Sequence, residues 1–299
     1  MLPKHPYFAA YLSLAAVCIF WGTTYLGIRM ALESFPPPLL VGIRYTISGS
    51  VLLIGAAFRK THLPSGRELL YTATYGVIII GVGNGCLSFA ELWIPSGLAA
   101  LFITTSPFWM IGMEALIPGG ERLHAPTLFG MFVGLLGTVL LVGPNAIQQG
   151  WGGPLLRGFL TLQFGCCGWA LGSILQRRHS TKAHPVVNGA VQQLATGIVF
   201  LIPGLLSKTG PLHVSTRSMA AVLYLVTFGS VIGYSAYLYA LDKLPVSVVS
   251  IYNYINPIVA LILGWLFYRE PIGFREIIAM LVIFAGVTIV KRLGRPQIN

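Results

Sequence analysis

The sequence predicts an all-α membrane protein of ten transmembrane helices, arranged as two inverted five-helix repeats. Three observations lead there. Of the 299 residues, 55% are hydrophobic and only 9% charged, whereas a soluble fold must cover itself with polar surface. The apolar residues fall into ten stretches, each close to the roughly 20 residues that cross a bilayer core of about 30 Å. The two halves also carry the same punctuation: Pro95 and Pro107 recur as Pro245 and Pro257, and Trp21, Arg29 and Pro37 recur as Trp169, Arg177 and Pro185.

The spans read from the sequence are 9–30, 38–58, 68–90, 96–117, 124–143, 154–176, 186–206, 216–240, 246–268 and 273–291. They use most of the chain, so the connections are short and no soluble domain fits. The first span follows Lys4 and His5 in the manner of a signal peptide. Its apolar run is too long for one, and no small-residue cleavage site precedes Arg29. Cys18 lies inside that run behind bulky Val17, so lipoprotein processing is not expected. Cys18, Cys86, Cys166 and Cys167 all lie in apolar spans without metal-ligand or thiol-pairing spacing, and they read as packing residues.

The net charge of +11 reports topology rather than nucleic acid. With a cytoplasmic N-terminus and alternating spans, Lys4, Arg59, Lys60, Arg67, Arg122, Arg177, Arg178, Lys182, Lys243, Lys291, Arg292 and Arg295 fall inside. Those are 12 of the 19 lysines and arginines; six fall outside (Arg29, Arg157, Lys208, Arg217, Arg269, Arg275), and Arg44 lies within a span. A two-to-one inside excess follows the positive-inside rule, which places both termini in the cytoplasm.

The halves divide at 9–143 and 154–291. At an offset of 148 residues Trp21/Trp169, Arg29/Arg177, Pro37/Pro185 and Gly49/Gly197 match; at 150, Gly83/Gly233, Ala90/Ala240, Pro95/Pro245 and Pro107/Pro257 do; at 149, Glu121/Glu270 and Gly137/Gly286 do. Five spans per half is an odd number, so the second copy enters the membrane from the opposite side. Such inverted repeats suit a protein that opens alternately to two faces. The alternatives from other classes are an intramembrane enzyme and a lipid-handling scaffold without solute transport. No zinc pair, nucleophile elbow or Walker lysine occurs in the sequence. No enzymatic activity, cofactor or metal is therefore expected.

Candidate residues follow from polar groups placed inside apolar spans. Pro107 and Pro257 sit about eleven residues into spans four and nine. Each removes a helix bond and frees a carbonyl, of Ile103 and Asn253, so both are candidate hinges. Asn253 and Asn256 share a helix face beside the second proline. Span three places Asn84, Ser88 and Glu91 on one stripe. Arg44 lies at a depth compatible with Glu91, and an Arg there is costly unless paired or solvated; an Arg44–Glu91 ion pair or gate is expected. Their counterparts in the other half are Gln192 and Leu241. Trp21 and Trp169 fall away from the interfaces where tryptophan usually anchors. With Thr24, Tyr25, Tyr234 and Tyr237 they would form aromatic walls of a cavity. Glu114, near the end of span four, is close enough to the interface to snorkel.

These residues together resemble the EamA-type drug/metabolite transporter superfamily. The resemblance is carried by Trp21-Gly22-Thr23-Thr24-Tyr25, by Pro36-Pro37 followed by Arg44-Tyr45, and by Gly83-Asn84-Gly85 leading to Ala90-Glu91. Pro95-Ser96-Gly97-Leu98-Ala99-Ala100 and the segment from Asn256-Pro257 to Glu270 extend it over nearly the whole chain as two tandem units. It implies a cavity lined mainly by helices one, three, four, six, eight and nine, and export of small metabolites, amino acids or drugs. Small multidrug-resistance relatives use a first-helix glutamate for proton coupling; Thr23 and Thr24 stand in that region here, so proton antiport through helix one is not expected. The overall expectation is a multi-pass secondary carrier of the bacterial inner membrane, with a small-molecule substrate and the lipid bilayer as partners, no nucleic acid, as a monomer or homodimer. Its substrate site would involve Trp21, Thr24, Asn84, Ser88, Trp169, Tyr234, Tyr237, Asn253 and Asn256.

Overall fold

The computed structural model describes residues 7–59, 61–118, 123–150, 152–179, 181–206 and 213–293. Lys4, His5, Lys60, Glu121, Arg122, Lys208 and Arg295 lie outside the described residues. Among the described residues every regular element is helical. Eight helices are long and apolar enough to cross a membrane: α1 (Phe8–Ala31), α2 (Pro37–Phe58), α3 (Gly66–Ala90), α4 (Ser96–Leu116), α5 (Ala125–Gln149), α6 (Pro154–Arg178), α7 (Pro185–Leu206) and α8 (Thr216–Lys243). Two more follow. α9 is a short turn (Val246–Val249) leading into Tyr252–Tyr268, and α10 is Phe274–Leu293. The long part of α9 has 17 residues, which is short for a span. α10 carries Arg275, Glu276, Lys291 and Arg292 at its ends, which dilutes its apolar run.

Proline punctuates the starts, because its fixed φ and missing N–H suit a first helical turn. Pro36 and Pro37 open α2, Pro95 precedes α4, and Pro154 and Pro185 open α6 and α7. The outer surface is apolar: Phe8, Leu12, Phe58, Phe129, Phe132, Leu205, Leu206 and Phe267 are all more than half exposed. A patch of that extent belongs in lipid.

Helix pairing follows the small residues. α2 packs along α7, and α5 along α10. A Cβ on Gly49 would lie 2.5 Å from the Leu194 nitrogen, and one on Gly197 would collide with the backbone of Thr46. Without those side chains the two backbones approach closely, which is how helices associate in lipid. The remaining contacts have a pattern. α1 packs on α8 and α9, while α6 packs on α3 and α4. Exchanging the two halves turns one set into the other.

Besides the break in α9 between Val249 and Tyr252, three helices depart from regular geometry among the described residues. α3 and α8 each contain a π-helical stretch, Val77–Val82 and Leu225–Ile232, each ending immediately before the matched glycines Gly83 and Gly233. α4 breaks at Thr104 and Thr105 and resumes at Ser106 with Pro107 in its first turn. π stretches and breaks of this kind collect at functional positions, because they redirect side chains and loosen carbonyls.

Candidate functional site

A cavity of about 180 Å³ lies where the two halves meet. Its wall takes residues from α1, α3, α4, α6, α8 and α9, as the resemblance implies, and also Arg44 and Tyr45 from α2 and Gln193 from α7. Among the described residues, α5 and α10 contribute nothing to the wall.

Two tryptophans, one from each half, line it. Trp21 projects from α1 against α8; a Cβ on Gly233 would lie 2.8 Å from its indole nitrogen. Trp169 projects from α6 against α3; a Cβ on Gly83 would lie 2.9 Å from its ring. Each indole therefore occupies space that a glycine leaves vacant in the other half. The Trp21 N–H donates to the Gly229 carbonyl at 3.1 Å, within the π stretch of α8. Behind Trp21 stand Tyr237 at 4.9 Å and Tyr252 at 5.3 Å between ring centroids. These edge and tilted contacts fix the indole's orientation.

Polar groups enter from several helices, and three of these supply amides and hydroxyls beside a π stretch, a helix break or a proline. Asn84 lies on α3, Thr104 and Ser106 at the break of α4, and Asn253 and Asn256 on α9. With its amide turned so that both ends are satisfied, Asn256 donates to the carbonyls of Tyr252 and Cys18 at 3.2 and 3.0 Å, which ties α9 to α1. The α4 break keeps its carbonyls satisfied locally. Thr104, Thr105 and Ser106 hydroxyls donate to the carbonyls of Leu101, Phe102 and Ile103 at 2.6, 2.7 and 2.6 Å. The Ile103 carbonyl that Pro107 releases is thus held by a serine. Gln193 enters the wall beside Ser48, whose hydroxyl donates to its carbonyl oxygen at 2.5 Å.

Of the sequence candidates, Trp21, Thr24, Arg44, Asn84, Trp169, Tyr234, Asn253, Asn256 and Pro257 reach the cavity wall. Four do not. Ser88 is buried and donates to the Asn84 carbonyl at 2.9 Å. Tyr237 supports Trp21 from behind. Pro107 shapes the break without lining the cavity. Glu91 is fully buried, and neither carboxylate oxygen has a hydrogen-bond partner.

The expected Arg44–Glu91 ion pair is corrected by the structure. Arg44 donates from Nε to the Ser230 hydroxyl at 2.9 Å and lies 4.8 Å over the Tyr45 ring. The charge near Glu91 is Arg29, which donates to the Glu91 and Ile94 backbone carbonyls. Compatible depth on two helices did not mean a shared side: Arg44 turns to Ser230 on α8, and Arg29 of α1 bonds the Glu91 backbone.

Sequence reading missed Tyr45, Gln193, Ser230 and Tyr252. Gln193 carried a signal, since two adjacent glutamines inside an apolar span are unusual; Gln192 drew attention and bonds Gln176 at 3.0 Å instead. Also missed was a carboxylate clasp. Glu270 accepts from Ser96 N (2.9 Å), Ser96 Oγ (3.1 Å) and Gly97 N (3.2 Å) at the start of α4.

A helical membrane bundle enclosing a polar and aromatic cavity between two similar halves is the architecture of a membrane transporter. The comparisons give the family. The EamA-like transporter family model matches residues 8–143 and 156–292, and the chain belongs to that family. It is 33% identical over 287 residues to the uncharacterized inner membrane transporter YedA of Escherichia coli, covering 95% of this chain and 90% of that protein. Protein PecM of Dickeya dadantii is 27% identical, covering 93% and 91%. A solved crystal structure superposes with a TM-score of 0.69 at 21% identity over 97% of this chain and 99% of that one, a likeness of fold. The chain is an integral membrane protein.

Proposed function

We propose that the protein is a secondary carrier of the bacterial inner membrane that exports a small polar or amphipathic metabolite by alternating access. In this reading the ten helices all span the membrane, the two five-helix halves are inverted copies, and both termini are cytoplasmic. The observation that carries it is the cavity between the halves, lined by the duplicated Trp21 and Trp169, which pack against the duplicated Gly233 and Gly83. The exchange of packing partners, α1 with α8 and α9 against α6 with α3 and α4, supports the inverted repeat.

Polar ties between the halves lie at both ends of the bundle. At one end Arg217 pairs with Glu33 at 3.6 Å, and the Ser218 hydroxyl donates to Ser34 at 2.7 Å. At the other, Arg177 pairs with Glu114, and Glu68 accepts from the Lys182 backbone N–H at 2.8 Å. Exposed ion pairs such as Arg217–Glu33 and Arg177–Glu114 are worth about 0–1 kcal/mol each and single hydrogen bonds about 0.5–1.5 kcal/mol, so either set can open at modest cost. Flux in proteoliposomes of the purified chain tests the reading. Saturable transport with counterflow supports it; silence across broad metabolite panels with product formation instead would replace it with an enzyme.

A further inference from the structure

Among the described residues, the cavity wall carries one fixed charge and no opposite charge to balance it. Arg44 sits about two turns into an apolar helix, is only 6% exposed, and contributes to the cavity wall. Among the described residues it forms no ion pair. Its Nε is held by Ser230, a buried residue of the π stretch in α8. Its terminal amino groups find no protein acceptor among the described residues. Gly229 leaves room for the head group, because a Cβ there would lie 3.0 Å from an Arg44 terminal nitrogen. The guanidinium is therefore held in place by packing and one neutral bond, with its strongest donors unspent.

The groups facing it decide what it takes. The wall contains no Asp, Glu, Lys or His among the described residues. The titratable neighbours there are the Tyr25, Tyr45, Tyr234 and Tyr252 phenols and the Cys166 thiol, all neutral in their usual protonated form. Glu91 does not line the cavity. A cation would meet aromatic faces, which can attract it, but also the full charge of Arg44 in a low-dielectric site. A zwitterion would find a charged partner for its carboxylate but, among the described wall residues, no carboxylate for its ammonium. A dianion would bring two charges to a single fixed one. The planar donor fork suits a carboxylate, and Trp21, Trp169 and the tyrosines suit a flat apolar body. At about 180 Å³ the space is below the usual range of drug-sized pockets.

The geometry points to a small organic monoanion as the substrate of this cavity, a carboxylate on a flat apolar body, with its charge on Arg44. This inference rests on the carrier reading for its biological meaning, but its test does not use flux. Four compounds with one phenyl body separate the classes: 3-phenylpropionate, 3-phenylpropanamide, 3-phenylpropylamine and phenylalanine. Binding of each to the purified chain in nanodiscs is measured by calorimetry. The propionate should bind about tenfold or more tighter than the amide, as one charge-assisted contact implies, and tighter than the amine and the amino acid. Arg44→Gln, which installs the residue type of the equivalent Gln192, should erase the preference of acid over amide. If that variant fails to fold, Arg44→Lys carries the test: the preference should persist with weaker binding, because the bidentate fork is lost. Equal or tighter binding of the amine or the amino acid, an unchanged preference in Arg44→Gln, or no binding by any of the four would overturn the inference. Binding of the acid without flux would sink the carrier reading alone, and flux of a cation without binding of the acid would sink this inference alone.

Discussion

Arg44 and Glu270 show how the same membrane setting treats two buried charges differently. A guanidinium inside a span costs about 2.5–3.5 kcal/mol on insertion scales, and Arg44 offsets little of that with one serine and one ring face. Glu270 is satisfied. It caps the first turn of α4, where backbone N–H groups and the helix dipole favour an anion, and Arg269 in the left-handed region (φ 52°) ends α9 and turns the chain there. Glu270→Ala should leave the Ser96 and Gly97 nitrogens unpaired and cost about 1–3 kcal/mol, read as a lower melting temperature in detergent. Glu270→Gln keeps acceptor oxygens and should cost less. Asn253 lines the cavity while Asn256 bridges α9 to α1. Asn253→Ala should thus weaken transport without reducing membrane abundance, whereas Asn256→Ala should also lower thermal stability. Equal loss of abundance in both variants would contradict that division of labour.

The elements were legible to different degrees for physical reasons. Run length and proline placement reveal α1 to α8, because a span must be apolar throughout and proline is welcome at a first turn. The π stretches of α3 and α8 are not legible, since they share composition and period with ordinary helix; the matched Gly83 and Gly233 mark their ends only in hindsight. The two prolines expected to act alike do not. Pro107 follows a break at Thr104 and Thr105, while α9 breaks earlier, near Ser250, and Pro257 lies inside the helix that follows. The residue types that reach the cavity, tryptophan and asparagine inside apolar spans, were visible; contacts such as Glu270 with Ser96, far apart in sequence, depend on packing that no local pattern encodes. At this scale the glycine–indole fit is the testable feature. Gly233→Ala should displace Trp21 and weaken its bond to Gly229, costing about 1–3 kcal/mol as overpacking does. Near-ultraviolet circular dichroism should report the moved indole while helicity is unchanged.

Across the whole molecule, the two halves share one cavity and are tied at both ends, and the account stands on that cavity opening to each side in turn. In a background with Cys18, Cys86, Cys166 and Cys167 replaced by alanine, a single cysteine at position 253 reports access by an impermeant thiol reagent. Cysteines placed at 114 and 177 lock one end when cross-linked, and cysteines at 33 and 217 lock the other. Under alternating access the probe labels only from the side opposite the locked end, and exchanging the lock exchanges the side. Labelling from the same side under both locks, or from both sides at once, would contradict it.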